Sequence, residues 1–159
     1  MVLPKEKGPF IEYLRADATQ TAINTYKETE IPTPVGRANN IGMLIHEVTF
    51  EQDTVLDAIA DADRCIFHLA LVSHTETKGI NDDGIIAKTS KIFYFTTSGA
   101  VVFNMQETHK FNPPLLVAKS KLFFGYNTAG QAAVKTGNIR IGYTLALVDK
   151  DAFIEALVD

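Results

Sequence analysis

The stretch that decides the fold is "GNIRIGYTLALVDKDAFIEALVD", residues 137–159. In its first half Ile139, Ile141, Tyr143, Leu145 and Leu147 alternate with Asn138, Arg140, Gly142, Thr144 and Ala146. Strand side chains point alternately to opposite faces, so five large apolar residues at a period of two make a core-facing strand over 138–148. After Val148 the period changes. Asp149 or Asp151 can cap a helix, and Phe153, Ile154, Leu157 and Val158 form a stripe at helical spacing, which predicts a short helix over 149–158.

Working back from that strand, "LLVAKSKLFFGYN" (115–127) reads as two short strands about a Lys119–Ser120 corner, and "NPP" at 112–114 is expected to break the chain before them. "IIAKTSKIFYFTTSGAVVFNMQ" (85–106) reads as strand, Ser98–Gly99 turn, strand: a hairpin. In "RCIFHLALVS" (64–73) both faces are apolar, which predicts a central, covered strand. "IGMLIHEVTF" (41–50) places Leu44, His46, Val48 and Phe50 on one face and Ile41, Met43 and Ile45 on the other. Between these two, "TVLDAIADAD" (54–63) has helical spacing, with Thr54 and Asp57 resembling a capping box. Residues 22–27 alternate as a strand that the prolines of "IPTPVG" then end.

Residues 1–19 read as an N-terminal arm rather than part of a sheet. Pro4, Gly8 and Pro9 interrupt them, and Phe10, Ile11 and Leu14 can share one helical turn after Pro9. Residues 20–159 then form a single domain of about eight short strands with no βαβ alternation. That is an all-β chain, an antiparallel β-sandwich or barrel, ending in a short helix.

The 159 residues suffice for one domain with a core, and 46% hydrophobic with 21% charged residues is ordinary for a globular protein. A net charge of −4 argues against a nucleic-acid binder that works through a basic stripe. The single cysteine, Cys65, cannot form an internal disulfide and reads as a small buried hydrophobe. "MVLPKEKGPF" lacks the apolar core of a signal peptide, and no apolar run approaches the ~20 residues of a spanning helix. A soluble, non-secreted chain is expected.

Catalytic and metal motifs are missing from the sequence. His46, His68, His74 and His109 form neither H-x-H nor H-E-x-x-H, and they read as structural histidines. A cupin-like metal site assembled from separate strands is the competing reading. The acidic residues Glu47, Glu51, Asp53, Asp57, Asp61 and Asp63 read as a solvated face rather than a calcium site, because no D-x-D-x-D-G loop is present. Phe93, Tyr94, Phe95, Phe123, Phe124 and Tyr126 lack interleaved basic residues, so packing is favoured over base stacking. No cofactor and no enzymatic activity are expected.

Several strands are apolar on both faces, although a chain of this length cannot bury two complete cores. Surplus apolar faces mark subunit contacts. The candidate assembly residues are Phe10, Ile11 and Leu14 in the arm and Phe153, Ile154 and Leu157 in the terminal helix. The order of short strands, with "PPLLVAKSKLFFGYNTAG" feeding "NIRIGYTLALV" and then a short helix, resembles a single jelly-roll viral capsid protein. The resemblance covers residues 20–158 and implies an eight-stranded jelly roll without an active site. It also implies assembly with copies of itself and other virion proteins, located in the virion. Relatives among RNA viruses often carry an Arg-rich arm. Here residues 1–30 hold Lys5, Lys7, Arg15 and Lys27 against Glu6, Glu12, Asp17, Glu28 and Glu30, a net of −1, so the arm is expected to contact protein or lipid rather than packaged nucleic acid. The competing function is a small-molecule or carbohydrate-binding β-barrel.

Overall fold

The strand read first from the sequence is the hub of the molecule. β9 (Thr136–Leu147) pairs along one side with β2 (Glu12–Thr19) and, at its far end, with the two-residue β1 (Lys5–Glu6). Its other side pairs with β4 (Ile41–Gln52), which in turn pairs with β7 (Gln106–Val117). A second sheet has the order β3-β8-β5-β6, from Lys27–Pro32, Lys121–Ala129, Asp63–Ala70 and Ile85–Phe93. Helix α1 (Lys150–Val158) follows β9. The structure is a computed structural model and describes residues 5–6, 11–52, 63–79, 81–82, 84–93 and 106–158.

Every pairing is antiparallel, and the pairs are nested: β2 with β9, β3 with β8, β4 with β7 and β5 with β6. The chain is one long doubled ribbon rolled into two facing sheets, which is the jelly-roll arrangement of an all-β sandwich. Phe50 from the first sheet packs on Phe67 and Phe124 from the second, with ring centroids 5.6 and 6.2 Å apart. Tyr126 joins the cluster 4.9 Å from Phe67, and its hydroxyl donates to Gln52 Oε1 at 2.9 Å, which gives the buried hydroxyl a partner. Gly137 makes this possible, because a Cβ there would lie 2.6 Å from the Tyr126 ring. Cys65 is fully buried among these residues, as expected.

Several expectations need correction. Residues 12–19 are not an arm but the edge strand β2, and no helical turn forms over 11–14. Leu14, Ala16 and Ala18 face the core, and the two alanines give too little apolar contrast to advertise the period. The strand expected at 22–27 begins only at Lys27, after a turn in which Asn24 is left-handed (φ 56°). It runs through Ile31 to Pro32, which is tolerated at the end of an edge strand.

"NPP" does not break the chain either, since β7 runs continuously from 106 to 117. Lys110 pairs with Glu47 and Leu115 pairs with Ile45, so residues 111–114 stand opposite His46 alone and the prolines need no ladder donor. β6 pairs with β5, and the second strand expected in the hairpin after residue 99 lies almost entirely outside the described residues. The Ser98–Gly99 turn lies outside the described residues, as does the helix expected from residue 54.

The same irregularity reverses the faces of β4. Met43 and Ile45 face the core before His46, and Val48, Phe50 and Gln52 face it afterwards. A bulge adds one residue and shifts the parity of everything beyond it. The reading that grouped Leu44 and His46 with Val48 and Phe50 is therefore wrong in its first half.

Before the bulge, the outer face of the first sheet is apolar and covered. Gly42 sits against Leu116 and Val148, and α1 lays Phe153, Ala152 and Ala156 over this patch. Asp149 caps the helix, its Oδ1 accepting from the Ala152 and Asp151 N–H groups at 2.9 and 3.1 Å. The corner expected at Lys119–Ser120 is present and carries the chain from β7 in one sheet to β8 in the other.

Candidate functional site

Of the six assembly candidates, Ile11 and Ile154 are exposed on the surface. Leu14 packs on the main core, and Phe153 is buried under its own helix. Phe10 and the side chain of Leu157 lie outside the described residues. Leu147, expected inward, is exposed instead, as is Tyr13 on β2.

The four histidines occupy three separate places. His46 stands at the β4 bulge, with Nε2 2.8 Å from Thr144 Oγ1. His109 packs edge-on against Phe50, ring centroids 5.9 Å apart, and lies 3.6 Å from Glu107. His68 and His74 meet on the outer face of the second sheet, ring centroids 5.6 Å apart. Among the described residues no three His, Cys, Asp or Glu side chains converge as a metal site. Phe124 and Tyr126 are core residues, so the expected packing role holds for those two, while the side chains of residues 93–95 lie outside the described residues.

His68 is fully buried although it points away from the sandwich core, because residues 73–78 fold back over it. Glu28 on β3 anchors that loop. Its carboxylate accepts from Ser73 Oγ at 2.5 Å, the His74 N–H at 2.8 Å and the Tyr26 hydroxyl at 2.9 Å. Tyr26 has one proton and gives it to Glu28, so His68 Nε2–H donates to the Tyr26 oxygen at 3.2 Å. His68 Nδ1 is then left to accept from the Lys78 N–H at 3.5 Å.

Burial pushes the His68 pKa down to about 4, assisted by the neighbouring charges of His74 and Lys88 and opposed by Glu28. Burial and the Glu28 contact raise the Tyr26 phenol pKa. Gly125 on β8 leaves room for the group, since a Cβ there would collide with the His68 ring and come within 2.6 Å of the Tyr26 hydroxyl. The chain Lys78 N–H, His68, Tyr26, Glu28 has a donor for every acceptor, which is the pattern of a structural clasp.

A different polar region lies on the outer face of the first sheet, beyond the bulge. Cross-strand register lines up Arg15, Arg140, Thr49 and Thr108 in one row and Asp17, Asn138, Glu51 and Gln106 in the next. Two residues along a strand separate the rows by about 6.7 Å. Both rows contribute to a furrow of about 380 Å³ with Ala16 and Ile139 at its base.

Arg15 and Arg140 are direct cross-strand neighbours, an arrangement of like charges that costs stability. Arg140 leans over the Tyr13 ring, with its guanidinium carbon 5.1 Å from the centroid. Its Nε is buried without a hydrogen-bond partner. Thr49 and Thr108 bond each other at 2.9 Å. Among the described residues no ion pair joins Arg15 or Arg140 to Asp17 or Glu51.

Sequence reading missed this furrow because its residues come from four strands that only the pairing register brings together. The available signal was the outward parity of Asn138 and Arg140 beside the core residues Ile139 and Ile141.

No family model and no curated protein matches the chain. Among solved structures it is similar to a chain in the X-ray structure of tomato aspermy virus, at 13% identity and a TM-score of 0.48, covering 89% of this chain and 81% of that one. It is also similar to latent dimeric PorU from Porphyromonas gingivalis, at 11% identity and a TM-score of 0.48. That match covers 90% of this chain and spans 14% of the PorU chain.

Proposed function

We propose that the chain is a structural subunit that assembles with copies of itself into a virion shell, and that it is not an enzyme. The observation that carries this reading is the set of large apolar side chains left open at the chain's two terminal segments. Ile11 and Tyr13 on and beside β2 are 43% and 46% exposed, and Leu147 and Ile154 near and on α1 are 45% and 47% exposed. Exposed apolar groups on a folded surface are where a partner removes area from water. The jelly-roll strand order is compatible with that role but does not by itself specify it. Among the described residues no helix is long and apolar enough to cross a membrane, so assembly through protein faces is the simpler route. The net of −1 over residues 1–30 points to protein contacts rather than packaged nucleic acid.

The test is native mass by light scattering, with negative-stain images, on the full chain and two variants. The wild type forms closed particles or regular rings that survive nuclease and high salt. Ile154→Ser keeps the fold and reduces assembly. Phe153→Ala instead loosens the subunit itself, by about 3 kcal/mol in urea denaturation, because it empties the space beneath α1. A wild-type chain that stays monomeric up to millimolar concentration overturns the reading, as does a particle that nuclease dissolves.

A further inference from the structure

We propose that the furrow on the outer face of the first sheet binds a monoanionic, hydroxyl-rich ligand of sugar-acid class, its carboxylate held between Arg15 and Arg140. The proposal requires only the folded chain, and it meets the assembly reading at one residue, Tyr13, which borders both surfaces.

Three observations converge on it. First, Arg15 and Arg140 are placed directly opposite each other on β2 and β9, and an anion between them turns a repulsive pair into a clamp. Second, Arg140 Nε is buried and unpartnered, so the guanidinium retains donor capacity that no described residue uses. The Tyr13 ring, 5.1 Å from the guanidinium carbon, holds the group without consuming a donor. Third, the volume of about 380 Å³ falls in the range of small-molecule sites.

The row beside the arginines decides the ligand class. Asp17 and Glu51 place two carboxylates about 6.7 Å further along the strands, balancing the two guanidiniums. A doubly charged phosphate would meet those carboxylates as a like charge. A carboxylate on a polyol carries half that charge, and its hydroxyls offset the remaining repulsion by donating to Asp17 and Glu51 while Asn138 both donates and accepts. The spacing of the rows suits a six-membered sugar ring with its acid group at one end.

The experiment is saturation-transfer difference NMR on the full chain, which reads the ligand and works whether or not the protein has assembled. The probes are glucuronate and glucose at 50 mM salt, with inorganic phosphate, which has no carbon-bound proton to observe, titrated as a competitor of the glucuronate signal. Glucuronate gives saturable transfer, and glucose and phosphate bind at least tenfold more weakly. Arg140→Gln and Arg15→Gln each weaken glucuronate at least tenfold, while Lys121→Gln, on the other sheet, leaves it unchanged. Equal binding of glucuronate and glucose overturns the clamp, as does equal binding by wild type and Arg140→Gln. Stronger binding of phosphate than glucuronate overturns the ligand class. Absence of saturable transfer from any probe overturns the site.

Discussion

The two sheets each carry a polar group on their outer face, and the groups are opposites. Around His68 the run from the Lys78 N–H through Tyr26 to Glu28 is hydrogen-bonded throughout and residues 73–78 bury the imidazole, although Nε2 of the neighbouring His74 is buried without a partner. In the furrow, two guanidiniums and two carboxylates share a wall without pairing, open to solvent. Polar side chains that satisfy one another hold a fold together. Those held apart on rigid strands are available to something else.

The sharpest way to break this contrast is acidification. The unfolded chain takes up a proton on His68 near the ordinary histidine pKa of 6.5, whereas the folded chain resists until about 4. The folded-state pKa is lowered, so the stabilisation is complete above pH 6.5 and is lost as the pH falls toward 4. Its size is about 3 kcal/mol, readable as a drop in urea midpoint between pH 7 and pH 4 that His68→Gln removes. If His68→Gln leaves that drop intact, the clasp is not what responds to acid.

A smaller effect comes from the anchor. Glu28→Gln keeps the shape but cannot accept all three hydrogen bonds, and is expected to cost about 2 kcal/mol at pH 7. Faster hydrogen exchange at the His74 amide would locate the loss in the covering loop. The smallest effect is expected in the furrow, where Arg140→Gln or Glu51→Gln should change stability by no more than about 0.5 kcal/mol. A cost of 2 kcal/mol there would make the furrow a second clasp and erase the distinction.

How far the sequence exposed all this depended on contrast. β9 announced itself because five large apolar residues hold a period of two, and α1 because the period changes at Asp149. β2 was hidden, since Ala16 and Ala18 on its inner face are small and Tyr13 puts a large apolar ring on its outer face. β4 was recognised as a strand but given the wrong inner face, because nothing in "LIHEV" marks the residue at which parity flips. The histidines were read as structural, yet the clasp partners of His68 could not be named. Tyr26, Glu28 and the covering loop reach it only through the pairing of β3, β8 and β5. The furrow was invisible for the same reason.

The nested pairing also sets a timetable for synthesis. β5 and β6 are neighbours in sequence and can join as soon as both leave the ribosome. Among the described residues β2 pairs with β9 alone, and Glu12 waits for Tyr143 to be made before it can pair. Until β9 is made, β2 is therefore an unmatched edge, open to any other nascent chain nearby. A fragment cut before residue 136 would carry an exposed β-edge along both β2 and β4, because β9 is the strand that lies between them.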